Sequence, residues 1–183
     1  ECREAGTAFF DAVCEFMNSA VPDTEGCKQL RIVSEVEETE SFTTLRDSEA
    51  MPLARLLKKL SVQVYELARR SEMIVDDDDR NAQGDLGELK AIARRVAAAA
   101  AAVMEVFSED GRQDNIVYWI ETRRGPREPV SLHIAPLDIA DELVEHFYPR
   151  VKTIVLTSAT LSVGGRFDYV EGRIGLDRLP ADR

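Results

Sequence analysis

Two apolar stripes of the same period, separated by a stretch too polar to bury, constrain this chain more than anything else in it. The first runs through Leu53, Leu57, Leu60, Val64 and Leu67, and the second through Leu86, Leu89, Ala93, Val96, Ala100, Val103 and Phe107. Alternating steps of three and four keep side chains on one helix face along a heptad seam, so the spacing predicts helices over about 49–74 and 85–107. The link Asp76-Asp-Asp-Asp-Arg-Asn-Ala-Gln-Gly84 reads as a turn. Adjacent helices with matching seams and a short link pack antiparallel. Each would be roughly 35 Å long at about 1.5 Å per residue. The small Ala93 and Ala100 would let the two backbones approach. Asp85 is the expected cap of the second helix, with Glu88 at its third position.

The flanking segments follow other rules. Phe9, Val13, Phe16 and Met17 share a face of a helix expected over 4–18, and Pro22 closes it. Residues 23–48 are acidic and irregular around a short run, Leu30 to Val36, with strand character. After the second long helix the period changes to two. Ile116, Tyr118 and Ile120 alternate with Val117 and Trp119, and Val130, Leu132 and Ile134 mark a second run. The link Arg123-Arg-Gly-Pro-Arg-Glu128 makes the pair a β-hairpin. A short helix with Ile139, Leu143 and Phe147 on one face is expected over 138–148, stopped by Pro149. Thr153-Ile-Val-Leu156 then reads as a strand buried on both faces of a mixed or parallel sheet. The expected fold is α+β, helical over 1–110 and mixed over 111–183.

Charge and cysteine usage limit the function classes. The 183 residues carry a formal charge of −11, so the surface as a whole is no nucleic-acid footprint. The excess sits in residues 1–50, with 12 acidic and 4 basic side chains, while residues 111–183 hold 11 and 10. Contacts with anions are therefore expected toward the C-terminus. Cys2, Cys14 and Cys27 are odd in number and form no C-x-x-C, which suits reduced thiols in a cytoplasmic protein rather than a disulfide framework or a zinc site. No apolar run spans a bilayer, and no signal peptide is evident. The sequence reads as a segment excised from a longer chain.

Chemistry concentrates after the expected buried strand, where Thr157-Ser-Ala-Thr160 follows directly. Ligands of open α/β sheets gather at the carboxyl ends of strands, and hydroxyls there can both donate and accept. A strand running into an ordinary Ser/Thr turn would give the same four residues. The longer context is Thr153-Ile-Val-Leu-Thr-Ser-Ala-Thr-Leu-Ser162, then Gly164-Gly-Arg-Phe-Asp-Tyr169 and Arg173-Ile-Gly-Leu176. It resembles helicase motif III of the DinG/XPD branch of superfamily 2, in which T-S-A-T-L, F-D-Y and R-x-G-L follow one another. Tyr118-Trp-Ile-Glu121 and Leu132-His-Ile-Ala-Pro-Leu-Asp-Ile-Ala140 resemble the lead-in of DinG proteins.

The resemblance implies a motor of two RecA-like domains that moves 5′ to 3′ on single-stranded DNA and hydrolyses ATP with magnesium. It implies that residues 1–110 are an arch-like helical insertion, and that 111–183 end the first RecA-like domain. It implies a coupling role for Thr157, Ser158, Ala159 and Thr160, with Ser158 and Thr160 supplying the hydroxyls. The chain has no G-x-x-x-x-G-K-[ST] and no D-E-A-H, so ATP and magnesium would be held by the parent outside this segment, as would the family's iron–sulfur cluster. The segment alone is not expected to hydrolyse ATP.

Weaker signals have bland readings beside them. Arg123, Arg124 and Arg127 would suit DNA phosphates, or simply solvate a loop. Asp77, Asp79, Asn81, Asp85 and Glu88 match ligand positions of a calcium loop, but Ala82 stands where that loop turns on glycine; a solvated acidic turn is the better reading. His133 and His146 lack partners at metal or triad spacing, and Trp119 reads as core rather than as a platform for bases. Motor strands without neighbours would leave edges that invite self-association. The competing function is a non-enzymatic helical module that docks a protein partner.

Overall fold

The computed structural model describes residues 1–22, 26–75, 79–108, 112–123, 129–158, 160–162 and 164–180. The architecture is α+β, and the chain divides into two compact units, Glu1–Gln113 with Val117–Ile134 and Asp114–Ile116 with Ala135–Arg183.

The first unit opens with α1 (Cys2–Ala20), which buries Phe9, Val13, Phe16 and Met17, the four residues expected from their spacing. Strand β1 (Cys27–Ile32) lies earlier than the expected run 30–36. The residues that follow turn into α2 (Ser34–Glu37) and α3 (Glu40–Leu45). Thr39 caps α3, its hydroxyl accepting from the Phe42 amide at 3.3 Å. A π-turn, Arg46–Ala50, joins α3 to α4 (Met51–Glu72). Pro52 gives a reason for that turn, because its ring would clash with the carbonyl four residues back in a regular helix. The first long helix thus continues a helical path begun at Glu40, ahead of the expected start at 49.

The second long helix, α5 (Arg80–Phe107), also starts early. Its cap is Asp79 rather than Asp85, with Oδ1 accepting from the amides of Asn81 and Ala82 at 3.1 Å each. Four acidic residues precede Arg80, and the last of them is already placed to cap, so the helix begins there and Asp85 lies inside it. Exchanging Asp79 for alanine is expected to lower stability by about 1 kcal/mol in urea unfolding, whereas Asp85→Ala stays near zero.

Helices α4 and α5 pack antiparallel. Glu72 near the end of α4 pairs with Lys90 near the start of α5, 2.7 Å apart, while Phe107 at the far end of α5 stacks on Phe42 of α3 at 5.6 Å. Of the expected stripe on α4, Leu53 is buried, Leu57, Leu60 and Val64 are half-buried, and Leu67 is 56% exposed. The small Ala54, Ser61 and Ala68 beside that stripe are buried as well. Facing them, Leu86, Ala93, Ala100 and Phe107 are buried at seven-residue steps. Small side chains on both helices shield each other only at short range, and the Ser61 hydroxyl stays satisfied by donating to the Lys58 carbonyl at 2.8 Å.

Strands β2 (Ile116–Arg123) and β3 (Val130–Pro136) confirm the hairpin to within two residues at each end. The sheet order is β1-β2-β3, and β1 pairs antiparallel with β2, Ile32 opposite Tyr118 and Cys27 opposite Arg123. Tyr118, Ile120 and Thr122 are buried on the inner face. Arg112 closes its edge, 4.3 Å above the Tyr118 ring and bonded to the Val106 carbonyl at 2.8 Å.

The second unit holds α6 (Ala140–Glu142), a π-turn over Leu143–Phe147, a 3-10 turn over Tyr148–Arg150, α7 (Asp168–Ile174) and a last 3-10 turn at Leu176–Arg178. The expected face Ile139, Leu143 and Phe147 is not the buried one; Ala140 and Tyr148 are buried, and Ile139 and Phe147 are exposed. A π-turn advances more residues per turn than the 3.6 used to choose that face. The expected buried strand is also absent. Residues 153–156 belong to no strand or helix, and Ile154, Val155 and Leu156 are 38, 82 and 48% exposed. A run buried on both faces needs a strand on each side, and the described sheet supplies none here. No described helix is long and apolar enough to cross a membrane.

Candidate functional site

The T-S-A-T stretch sits in the second unit, just beyond the apolar run 153–156. Thr157, Ser158 and Thr160 are exposed. The Ser158 and Thr160 hydroxyl oxygens are 3.3 Å apart, and the Thr160 amide donates to Ser158 Oγ at 3.2 Å. That closed turn leaves both hydroxyls in solvent with capacity to bond elsewhere. Ala159 lies outside the described residues.

The elements on either side of this stretch are bound to each other. Before it, Asp138 accepts from the Ala140 amide at 2.8 Å; that bond, and then the nearby Arg178 and Arg173, hold its carboxyl below the usual carboxylate range. After it, Arg173 donates to the Leu137 carbonyl at 3.0 Å, and Arg178 reaches both Asp138 and Asp141. The Tyr148 hydroxyl donates to the Ile174 carbonyl at 2.7 Å, and burial raises its pKa. Gly175 ends α7 with φ of 74°, and a Cβ there would lie 2.8 Å from the Ala140 carbonyl oxygen. Arg173 and Gly175 of the R-x-G-L motif are therefore a fastening. Tyr148 and Arg178, its other members, carry no periodic signal in the sequence.

Of the three hairpin arginines, Arg123 lies among the described residues. Arg123 is 71% exposed at its side chain, and its Nε donates to Glu121 Oε1 at 2.8 Å. Arg124 and Arg127 lie outside the described residues. Glu121 also accepts from Gln29 Nε2 at 2.8 Å, and these two donors, Arg123 first, hold its carboxyl low. Cys27 stands opposite Arg123 in the sheet; desolvation, then the Glu121 carboxylate, pushes its thiol up.

Trp119 corrects the expectation of a core residue. It faces outward from β2, part-buried, with its ring parallel to that of His133, 3° between planes and 4.6 Å between centroids. Tyr118 and Ile120 are buried on the inner face, and strand alternation then leaves Trp119 on the other. His146 is exposed on the π-turn, 3.7 Å from Glu142.

No group of three or more His, Cys, Asp or Glu side chains that could hold a metal occurs among the described residues. Asp77 of the calcium-loop match is outside them, and Asn81, Asp85 and Glu88 lie within α5, so that part is helix rather than a chelating loop. Cys2 and Cys14 are on α1 and Cys27 on β1; that arrangement does not fit an iron–sulfur cluster, which needs its thiolates grouped.

No family model matches the chain. Two curated relatives do, each at 37% identity over about a third of this chain. One is the 3′-5′ exonuclease DinG of Bacillus subtilis, matched over 67 residues, and the other the ATP-dependent DNA helicase YoaA of Haemophilus influenzae, matched over 68. The matched part is 7% of the first protein's length and 10% of the second's. The chain is thus similar, over that stretch, to DinG and to the DNA helicase YoaA, and it spans a small part of the length of either.

Proposed function

We propose that the chain is a segment of a DinG-type ATP-dependent DNA helicase acting 5′ to 3′ on single-stranded DNA in cytoplasmic repair or replication. Residues 1–110 form its arch-like insertion, and residues 111–183 the end of its first RecA-like domain. The observation that carries the reading is the presence of Thr157-Ser-Ala-Thr160, in its longer sequence context, in a chain that shares 37% identity over about a third of its length with DinG and with the ATP-dependent DNA helicase YoaA.

The arch role gains support from the antiparallel α4–α5 pair, a stiff rod able to gate a strand passing beneath it. The motor role gains support from Thr153–Leu156, an apolar run of strand character whose Ile154, Val155 and Leu156 are exposed, which suits a segment whose sheet neighbours belong to the rest of the parent. In this reading Ser158 and Thr160 relay changes at the nucleotide, bound with magnesium by other parts of the parent, to the strand-separating parts. Arg123, Arg124 and Arg127 contact DNA phosphates. The iron–sulfur cluster, where the parent has one, also lies elsewhere.

The test is ATP hydrolysis by the intact parent, with and without single-stranded DNA, beside its Thr160→Ala version. DNA-stimulated hydrolysis is expected, with unwinding reduced at least tenfold in the variant while hydrolysis is largely kept. A parent that hydrolyses no ATP under either condition would sink the motor reading. It would favour a helical docking module, for which Met73 and Ile74, both 86% exposed just past α4, supply an apolar contact.

A further inference from the structure

The outward face of the three-stranded sheet differs from the rest of this acidic chain. Its residues follow from strand register. Cys27, Gln29 and Arg31 of β1 stand opposite Arg123, Glu121 and Trp119 of β2, and His133 of β3 stacks on Trp119 from the other side. One row therefore runs Arg31, Trp119, His133 across all three strands.

Each member suits a nucleic-acid strand. The parallel indole and imidazole rings are only part-buried, so a ready-made stack keeps ring surface in solvent. Bases add to such stacks whatever their sequence, because every base has a π-face. Arg31 is exposed, and no described residue forms an ion pair with it, which leaves its guanidinium for a phosphate. The acid on this face is withdrawn. Glu121 is 10% exposed at its side chain, is paired with Arg123 and accepts a hydrogen bond from Gln29. The face thus carries two cations against one buried anion, in a chain of charge −11. A hollow of the helical part of this unit is the reverse, edged by Glu15, Glu40 and Glu49 with no basic side chain in its lining, and it would repel phosphate.

We propose that this face is a stacking platform for single-stranded DNA, with Trp119 and His133 receiving bases and Arg31 and Arg123 holding the backbone. The proposal rests on the helicase reading and gives it a DNA-contacting surface besides the hairpin arginines. Strand geometry favours a single strand over a duplex, whose bases are not free to stack on protein rings.

Trp119 is the chain's single tryptophan, so its emission reports on this face alone. The chain is titrated at low salt with an end-labelled 12-nucleotide oligo(dT), following both tryptophan emission and the anisotropy of the label. The two signals are expected to saturate together, with emission quenched by about half. An abasic oligomer of the same length should bind at least tenfold more weakly and quench little. Arg31→Ala, at an exposed position, should weaken oligo(dT) binding about tenfold and reduce the slope of log affinity against log salt by about one. A rise in anisotropy without quenching would place the DNA elsewhere and overturn the proposal. Absence of binding, or equal binding of the abasic oligomer or of duplex DNA, would overturn it as well. DNA-stimulated hydrolysis by the parent, measured separately, would still uphold the helicase reading in those cases.

Discussion

Truncating Phe107 to alanine is expected to lower the stability of the helical unit by about 4 kcal/mol. The residue is fully buried at the end of α5, where three segments distant in sequence meet. Its ring stacks on Phe42 at 5.6 Å and meets Phe9 edge-on at 5.8 Å, and Phe42 in turn packs edge-on against Phe16. Removal loses the transfer free energy of a large apolar group and leaves a cavity that rigid neighbours cannot fill. The edge and stacked contacts add about 1 kcal/mol each beyond area. Because whole domains are stable by only about 5–15 kcal/mol, the variant should melt roughly 10 °C lower by circular dichroism at 222 nm. Phe10→Ala is the control. That neighbour on α1 is 49% exposed and should cost about 1 kcal/mol or less. Equal losses from the two substitutions would mean that the aromatic cluster is not the structural centre of this unit.

The same cluster marks what the sequence could and could not disclose. Spacing located α1 with all four of its buried residues, because large apolar side chains at helical intervals leave few alternatives. It located the helical pair for the same reason, with Leu53 of the α4 stripe buried and Leu57, Leu60 and Val64 half-buried, but not the small residues beside that stripe. Ala54, Ser61 and Ala68 carry little apolar weight in a pattern, yet they are what lets α5 approach. Periodicity also assumes a fixed pitch. The π-turn at Leu143–Phe147 breaks that assumption, and the buried face moves to Ala140 and Tyr148. Thr153–Leu156 was misjudged differently, since strand character is local whereas burial requires partners from elsewhere in a sheet. At the candidate site the T-S-A-T motif was plain, and its hydroxyls do lie together. The fastening around it was not legible, because Arg178 and Tyr148 find their partners 26 to 40 residues away and no pattern encodes such a meeting. Trp119 lies on the outward face although its size suits a core, because alternation along β2 decides which face a side chain takes, and Tyr118 and Ile120 hold the buried one.

That fastening makes Gly175 the most sensitive backbone position of the second unit. Its φ of 74° lies in the left-handed region, which costs an alanine about 1 kcal/mol. Space adds to the penalty. A Cβ would lie 2.8 Å from the Ala140 carbonyl oxygen and 2.9 Å from Val144 Cγ2, both well inside contact distance. The first is backbone and cannot swing away, so α6 must separate from the end of α7, at a further cost of about 2 kcal/mol. Separation would loosen the bonds from Arg173 to Leu137 and from Tyr148 to Ile174, which brace the two sides of the T-S-A-T stretch. Gly175→Ala should therefore reduce the opening free energy of amides in 140–150 and 168–178 by about 3 kcal/mol in hydrogen exchange, with protection in α1, α4 and α5 retained. Gly164→Ala isolates the conformational part. Its φ is 61° with nothing within 4 Å of the added Cβ, so it should cost only about 1 kcal/mol. Were the two substitutions to cost the same, the close approach of Gly175 to Ala140 would play no part in holding this unit together.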